Sequence, residues 1–396
     1  MQEPFSFDAP ARLVDFMRQA DLGGVINLAA GVPGPDALPA ATLREAFEEV
    51  YHAEGAAIYG YHHPEGDREL RDLLAARLRA RGVSRLGGGE IVITTGCTQA
   101  LQLMLAVLVK PGDTVACEAP AYYGLLELIA AMGARILPLP VNGIAGLDPE
   151  AARPLLERWK PKCLVVCTSL SNPSGATLPP PARRRLVEIC RETGVRLIED
   201  DIYGELSDGG APVPCLAHDD GSTVSYVTSF SKTVAPALRV GYCVPGTPEL
   251  HDAFATKKCQ QDLHGSVIPE VTLRRFIQRG SLDPHLDWLR ERNRGRRRLV
   301  LEAIGRSFPE GTRVEAPEGG FMLWAELPRG TDLPMLRERA REQGVVFAAG
   351  SAFFAETPGA PPCSRRFVRL NAARADEEGL VRGVETLGRL VAEIAP

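Results

Sequence analysis

Residues 90–109, EIVITTG followed at once by CTQALQLMLAVLV, carry two periods in succession. The first seven are apolar and β-branched, the pattern of a buried strand. Gly96 closes it, and the next thirteen put apolar residues at the 3.6-residue spacing of a helix. The pair of patterns then recurs. TVACEAP (114–120), RILPLP (135–140), CLVVCTS (163–169) and VRLIEDD (195–201) read as strands. YYGLLELIAAMG (122–133), DPEAARPLLERW (148–159) and PPARRRLVEICRETG (180–194) read as the helices between them. Asp148 is a good cap for the second of these helices, and Pro149 suits its first position. Strands alternating with helices predict an α/β fold with a mostly parallel sheet covered on both faces. In such sheets ligands gather at the C-terminal ends of the strands.

Four stretches with chemical potential stand at those ends: the turn at Gly96, SNPSG (171–175), the end of VRLIEDD, and SFSK (229–232). Lys232 lies where the strand marked by Thr223, Val224, Val227 and Thr228 runs into a loop. Burial lowers a lysine's pKa, and a neutral amine forms a Schiff base with an aldehyde. Ser229, Ser231 and Arg239 are the donors that a phosphate needs. An aldehyde that carries a phosphate describes pyridoxal 5′-phosphate. That cofactor also needs a carboxylate beside its ring nitrogen, which Asp200 or Asp201 supplies. Tyr203 and Asn172 are placed to bond its ring oxygen, and Tyr122 to cap its ring. Phosphate sits best at a helix N-terminus, and Gly96-Cys97-Thr98 begins one. Singly, each stretch has a plainer reading as a capped turn, a core tyrosine or a loop lysine. Their shared position at strand ends is what favours the cofactor.

Composition sets the surroundings. The chain has 396 residues, 45% of them hydrophobic and 24% charged, as in ordinary globular proteins long enough for two domains. No apolar run approaches the ~20 residues that span a membrane. MQEPFSFDAPARL lacks the marks of an export signal, and nine cysteines are scattered without CxxC pairs. Both point to a reducing cytosol and a cytoplasmic location. A net charge of −5 argues against general nucleic-acid binding. The basic run RERNRGRRR (290–298) reads as a solvated helix face. His62 and His63 are adjacent and poorly placed to share a metal, so no metal site is expected. After Tyr242 come two helical stretches, a long helix near 284–307, and shorter strands and helices through VVFAAG (345–350) and RRFVRLNAA (365–373). The expected division is an N-terminal segment (1–50), a large cofactor-binding domain (51–285) and a small α+β domain (286–396). The Pro-rich segment 355–366 reads as a loop.

Taken together, SNPSG, EDDIY and SFSK…RVGY resemble fold-type I pyridoxal-phosphate enzymes of the class I/II aminotransferase family. In pattern they stand nearest the 2-aminoadipate, kynurenine and aromatic aminotransferases and the aminotransferase-like half of MocR-type regulators. The resemblance implies a Schiff base on Lys232, Asp200 at the pyridine nitrogen, and Tyr203 and Asn172 at the ring oxygen. It implies Tyr122 on the ring face and Cys97, Thr98, Ser229, Ser231 and Arg239 around the phosphate. Arg369 would grip the substrate α-carboxylate with help from the Gly31 amide. Tyr61, with Tyr59 as the alternative, would reach the phosphate of a neighbouring subunit, which implies a homodimer. The implied reaction moves the amino group of an L-α-amino acid to a 2-oxo acid, with 2-oxoglutarate as the expected acceptor. Other reactions on the same scaffold are a β-lyase, racemase, decarboxylase or oxidase, and a MocR-like sensing domain is the non-catalytic alternative. Cys97, Ile202 and Ala237 depart from the family's usual serine, proline and glycine. For a distal substrate carboxylate the sequence offers Arg12, Arg18, Arg135 or the 290–298 arginines, and for side-chain selection residues 12–40 and 259–266.

Overall fold

The computed structural model describes residues 3–9, 13–20, 23–355 and 366–395. The chain opens with α1 (Leu13–Ala20), β1 (Ile26–Asn27), α2 (Ala40–Glu54) and α3 (Arg68–Ala80). The alternating region then runs β2 (Val92–Thr94), α4 (Cys97–Leu108), β3 (Thr114–Ala119), α5 (Tyr123–Ala131), β4 (Arg135–Pro140) and α6 (Pro149–Trp159). It continues through β5 (Cys163–Cys167), α7 (Pro180–Thr193), β6 (Arg196–Asp200), β7 (Val224–Ser229) and β8 (Gly241–Val244). Asp148 caps α6 as expected, accepting from the amides of Glu150 and Ala151.

These strands form one seven-stranded sheet in the order β2-β8-β7-β6-β5-β3-β4. β8 runs antiparallel to both its neighbours, and the other pairings are parallel. Successive side chains alternate between two apolar layers. Ala116, Leu164, Leu197 and Val224 face one, and Val115, Val165, Ile198 and Val227 the other. Both layers are buried, which is why the strands read as continuous apolar runs rather than as alternating ones.

The remaining elements are α8 (Pro248–Asp262), α9 (Val267–Gln278), α10 (Leu282–Ser307), β9 (Arg313–Val314), β10 (Met322–Glu326) and α11 (Leu333–Glu342). After them come β11 (Val345–Val346), β12 (Ala348–Ala349), β13 (Phe367–Asn371) and α12 (Glu377–Ile394). A four-stranded antiparallel sheet, β12-β13-β10-β9, lies in this region. VVFAAG, expected as one strand, divides at the buried Phe347. β11 pairs with β1 and β12 with β13, so two sheets share the segment. Most of segment 355–366 falls outside the described residues. No described helix is long and apolar enough to cross a membrane.

The basic run on α10 is not the solvated face that its composition suggests. Arg296 and Arg297 are buried and donate to the carbonyls of Ala372 and Gly320. Arg290 donates to the Glu205 carbonyl, and Arg292 holds Asp36 and the Ala373 carbonyl. Only Arg294 and Arg298 of its arginines stand well out in solvent. α10 runs beneath loops whose carbonyls lack ladder partners, and the guanidinium forks satisfy them.

Candidate active site

At the end of β6 two adjacent aspartates part company. Successive side chains of a strand point to opposite faces. The Asp200 carboxylate accepts from the Cys97 thiol at 3.4 Å and the Ile202 amide at 3.3 Å. Asp201 points the other way and accepts from Arg81 at 2.6 Å and the Tyr226 hydroxyl at 2.9 Å. The residues alone left the choice between them open, the family resemblance pointed to Asp200, and only Asp200 lines the cavity described next.

That cavity, of about 170 Å³, lies at the C-terminal edge of the parallel strands. Lys232, Asp200, Asn172, Tyr203, Tyr122 and Thr98 line it, and so do Cys97, Ser229, Ser231, Arg239 and Gly31. Burial, and after it the charges of Arg369 and Arg239, lowers the Lys232 amine from 10.5 to about 8. Burial raises the Asp200 carboxyl from 3.8 to about 7, against the lowering effect of the Cys97 and Ile202 hydrogen bonds. Lys232 Nζ donates to the Gly31 carbonyl at 2.8 Å, so Gly31 meets the lysine through its oxygen.

One end of the cavity is a cradle of donors. α4 begins there, and its first residues, Cys97 and Thr98, turn free amides toward the space. Arg239, in the left-handed region at φ 52, reaches the Thr95 carbonyl at 3.0 Å and Ser231 Oγ at 3.3 Å. Gly96 has φ +85, and a Cβ there would stand 2.6 Å from Arg239 Nη2. Only glycine therefore lets the arginine close over the helix end. The Cys97 side chain leaves this cradle for Asp200, so its part in the cradle is its backbone.

Arg369 is fully buried and does not itself line the cavity. It donates to Asn172 Oδ1 at 2.8 Å and to the Ala29 carbonyl, lies over the Phe353 ring at 4.9 Å, and keeps an unpartnered Nε. A Cβ on Gly31 would come within 3.3 Å of it, which sets Arg369 directly behind that residue. Sequence reading missed Asn371, whose amide holds the carbonyls of Ala30 and Val32 and so fixes the Gly31 loop. It also missed Tyr123, which packs on Phe353 beside Arg369 and stacks on Phe16 at 4.0 Å. The tyrosine doublet was visible, and both Tyr122, the ring chosen, and Tyr123 line the cavity.

Tyr61 is not part of this assembly. It is 88% exposed, with its ring edge against His264, and Tyr59 is likewise exposed. The arginines proposed for a distal carboxylate are also elsewhere. Arg18 is in solvent near Asp15, Arg135 bonds the Gly112 carbonyl, and the 290–298 group is engaged as described. Arg12 lies outside the described residues. None of residues 259–266 lines the cavity. A larger opening, of about 1430 Å³ beside Trp324 and Arg366, contains no lysine among its described lining residues, and the α11 N-terminus that reaches it is already capped by the Asp332 side chain.

The family model for aminotransferase class I and II matches residues 23–387. The chain belongs to that family. It is a pyridoxal-phosphate-dependent aminotransferase. It is 34% identical over 370 residues to the 2-aminoadipate transaminase of Thermus thermophilus, covering 92% of this chain and 90% of the relative. The solved Pyrococcus horikoshii kynurenine aminotransferase superposes with a TM-score of 0.89 at 30% identity, covering 97% and 95% of the two chains. An HTH-type transcriptional regulator of Escherichia coli is 28% identical over 393 residues, which are 99% of this aminotransferase and 82% of the regulator.

The cavity's residues fit the cofactor. The cradle at Gly96 combines helix amides, two serine hydroxyls and a guanidinium, a donor set for a dianionic phosphate. Asp200, held by burial near half-protonation at neutral pH, has the free capacity to pair with a cationic ring nitrogen. Lys232 is the one side-chain amine among the described residues lining the cavity.

Proposed function

We propose that this aminotransferase moves the amino group of an L-α-amino acid to a 2-oxo acid, with 2-oxoglutarate as acceptor, through a cavity that donor and acceptor occupy in turn. The observation that carries this reading is the meeting of Lys232, Asp200 and the α4 N-terminus in one small space. When bound, the cofactor supplies an electron sink for the charge that develops at the substrate Cα. Thr98, Ser229, Ser231, Arg239 and the Cys97 amide would hold its phosphate. Asp200 would hold the proton on its ring nitrogen, Asn172 and Tyr203 would bind its ring oxygen, and Tyr122 would pack on its ring. Lys232 Nζ is the amine that would hold its aldehyde carbon and, once free, would move the proton at the substrate Cα. Its lowered pKa leaves a large share of the amine neutral near pH 8, as a general base requires. Arg369 and the Gly31 loop take the α-carboxylate.

The proposal extends to assembly. Tyr61 projects from the surface with no role in its own cavity, which suits a homodimer in which it reaches the neighbouring subunit's phosphate. The division at residues 50 and 285 is also carried forward. The first segment serves both units, since β1 pairs with β11 while α2 packs on α9.

Replacing Lys232 with alanine is expected to lower turnover by about 10³-fold or more and to remove the absorbance of the lysine-bound cofactor. A variant that keeps full turnover would overturn the assignment. Formation of 2-oxo acid in step with consumption of an acceptor separates transamination from lyase, racemase, decarboxylase or oxidase chemistry. A cofactor that binds without any turnover would favour the sensing role suggested by the regulator-like relative.

A further inference from the structure

Beyond the cofactor residues, the cavity has a second wall. Leu13, Phe16 and Met17 of α1 line it, together with Val32 and Leu101. α1 is fastened over the site at two points: the Leu13 amide donates to Glu127 Oε2 at 2.7 Å, and Phe16 stacks on Tyr123 at 4.0 Å with the rings 12° apart. Tyr123 packs edge-on against Phe353, over whose ring Arg369 lies, so this wall adjoins the group assigned to the α-carboxylate. The charges available are equally informative. Among the described residues lining the cavity the cations are Lys232 and Arg239, both assigned to the cofactor. At the N-terminal end of α1 the described residues place the Glu127 carboxylate, which accepts from the Leu13 amide.

We propose that the donor's side chain rests against Leu13, Phe16 and Met17, and that the enzyme selects L-amino acids with large apolar or aromatic side chains over acidic ones. This rests on the transamination reading given above. An apolar side chain gains by leaving water for this wall. A distal carboxylate loses its hydration there and meets no unassigned cation among the described lining residues. 2-Oxoglutarate enters the same space in the second half-reaction, and its KM is expected to exceed that of the 2-oxo acid of an apolar donor.

Two measurements test this without an acceptor. The first is single-turnover conversion of the cofactor-loaded enzyme by phenylalanine, leucine, glutamate and 2-aminoadipate, followed by absorbance. The second is equilibrium binding of unreactive acids, 3-phenylpropionate and 4-methylpentanoate against glutarate, by calorimetry. At least a tenfold preference for the apolar compounds is expected in both. Phe16→Ala should cut that preference at least threefold. Equal or reversed preference overturns the proposal while leaving the transamination reading intact, and an undiminished preference in Phe16→Ala overturns the role of α1. If no amino acid converts the loaded enzyme, the transamination reading itself fails, and this inference falls with it.

Discussion

Two polar regions sit on opposite sides of the β6 terminus, and they are built by opposite rules. Behind the sheet, Asp201 is closed by Arg81 and Tyr226. Arg183 and Glu199 are likewise buried with Thr168, Cys215 and Leu216 as partners. Nearly every donor there meets an acceptor, as a low-dielectric interior demands. In front, Lys232 is half-buried with a single protein acceptor, and Asp200 takes only one thiol and one amide hydrogen bond. Both have strongly shifted acidities. A cluster whose charges are paired is architecture, even where one oxygen, Asp201 Oδ1, lacks a partner. A buried cluster left half-paired is waiting for a ligand, and the adjacency of Asp200 and Asp201 puts both kinds one residue apart.

Breaking this contrast at its catalytic side should have the largest effect. Asp200→Asn removes the group that keeps the cofactor ring positive, and turnover is expected to fall by about 10³-fold with little change in Tm. Steady-state kinetics beside thermal melting checks both halves. If Asp200→Asn instead unfolds the chain while turning over normally, the two sides of the sheet have been assigned the wrong way round.

The mirror change should do the opposite. Asp201→Asn leaves Arg81 buried without its counter-charge, and breaking such a pair costs about 3–5 kcal/mol. Denaturant melts should show that loss, while kcat per folded molecule stays within about twofold. A thousand-fold loss of kcat at unchanged stability would mean that the rear cluster takes part in chemistry.

The half-paired side should also respond to pH in a defined direction. Capture of cofactor by the apoprotein needs Lys232 neutral and Asp200 ionised. Lys232 loses its proton as pH rises through about 8, and Asp200 as pH rises through about 7. Both losses favour capture, so the rate should climb steeply below pH 7, rise about tenfold per unit between 7 and 8, and level off above. Stopped-flow mixing of apoprotein with cofactor reads this. A rate that falls across that window would reverse the sign and place neither group in the reaction.

Most of this arrangement was legible in the chain because local pattern and strand-end position agree. The alternation after residue 90 is repeated often enough to define the sheet, and SNPSG, EDDIY and SFSK fall at its ends without adjustment. The misreadings share one cause, which is that composition does not say what lies overhead. Arg296 and Arg297 look like surface residues until α10 is set beneath the carbonyls of Ala372 and Gly320. Phe347 looks like mid-strand until β11 and β12 find different partners. The choice between Asp200 and Asp201 turned on which face of β6 each occupies, and that depends on the partners that Arg81 and Tyr226 bring from α3's end and β7. Asn371 and Tyr123 act on Arg369 or its loop through tertiary contacts with no local signature.

The smallest expected effect probes the one atom that links the two Asp200 contacts to this chain's own sequence. Cys97 stands where the family usually has serine, and its thiol donates to Asp200 at 3.4 Å rather than turning into the phosphate cradle. Thiols are weak donors, so this bond offsets little of the burial that raises Asp200. In Cys97→Ser a hydroxyl at the same position stabilises the carboxylate more strongly, and the Asp200 midpoint should fall by less than about one unit. The lower limb of the capture profile would then move to lower pH while the upper limb, set by Lys232, stays where it was. Turnover at pH 8 should change less than about threefold, because Asp200 is already ionised there. A shift confined to the upper limb would instead show that residue 97 acts on the lysine or the cradle, and that its contact with Asp200 leaves the carboxylate's acidity untouched.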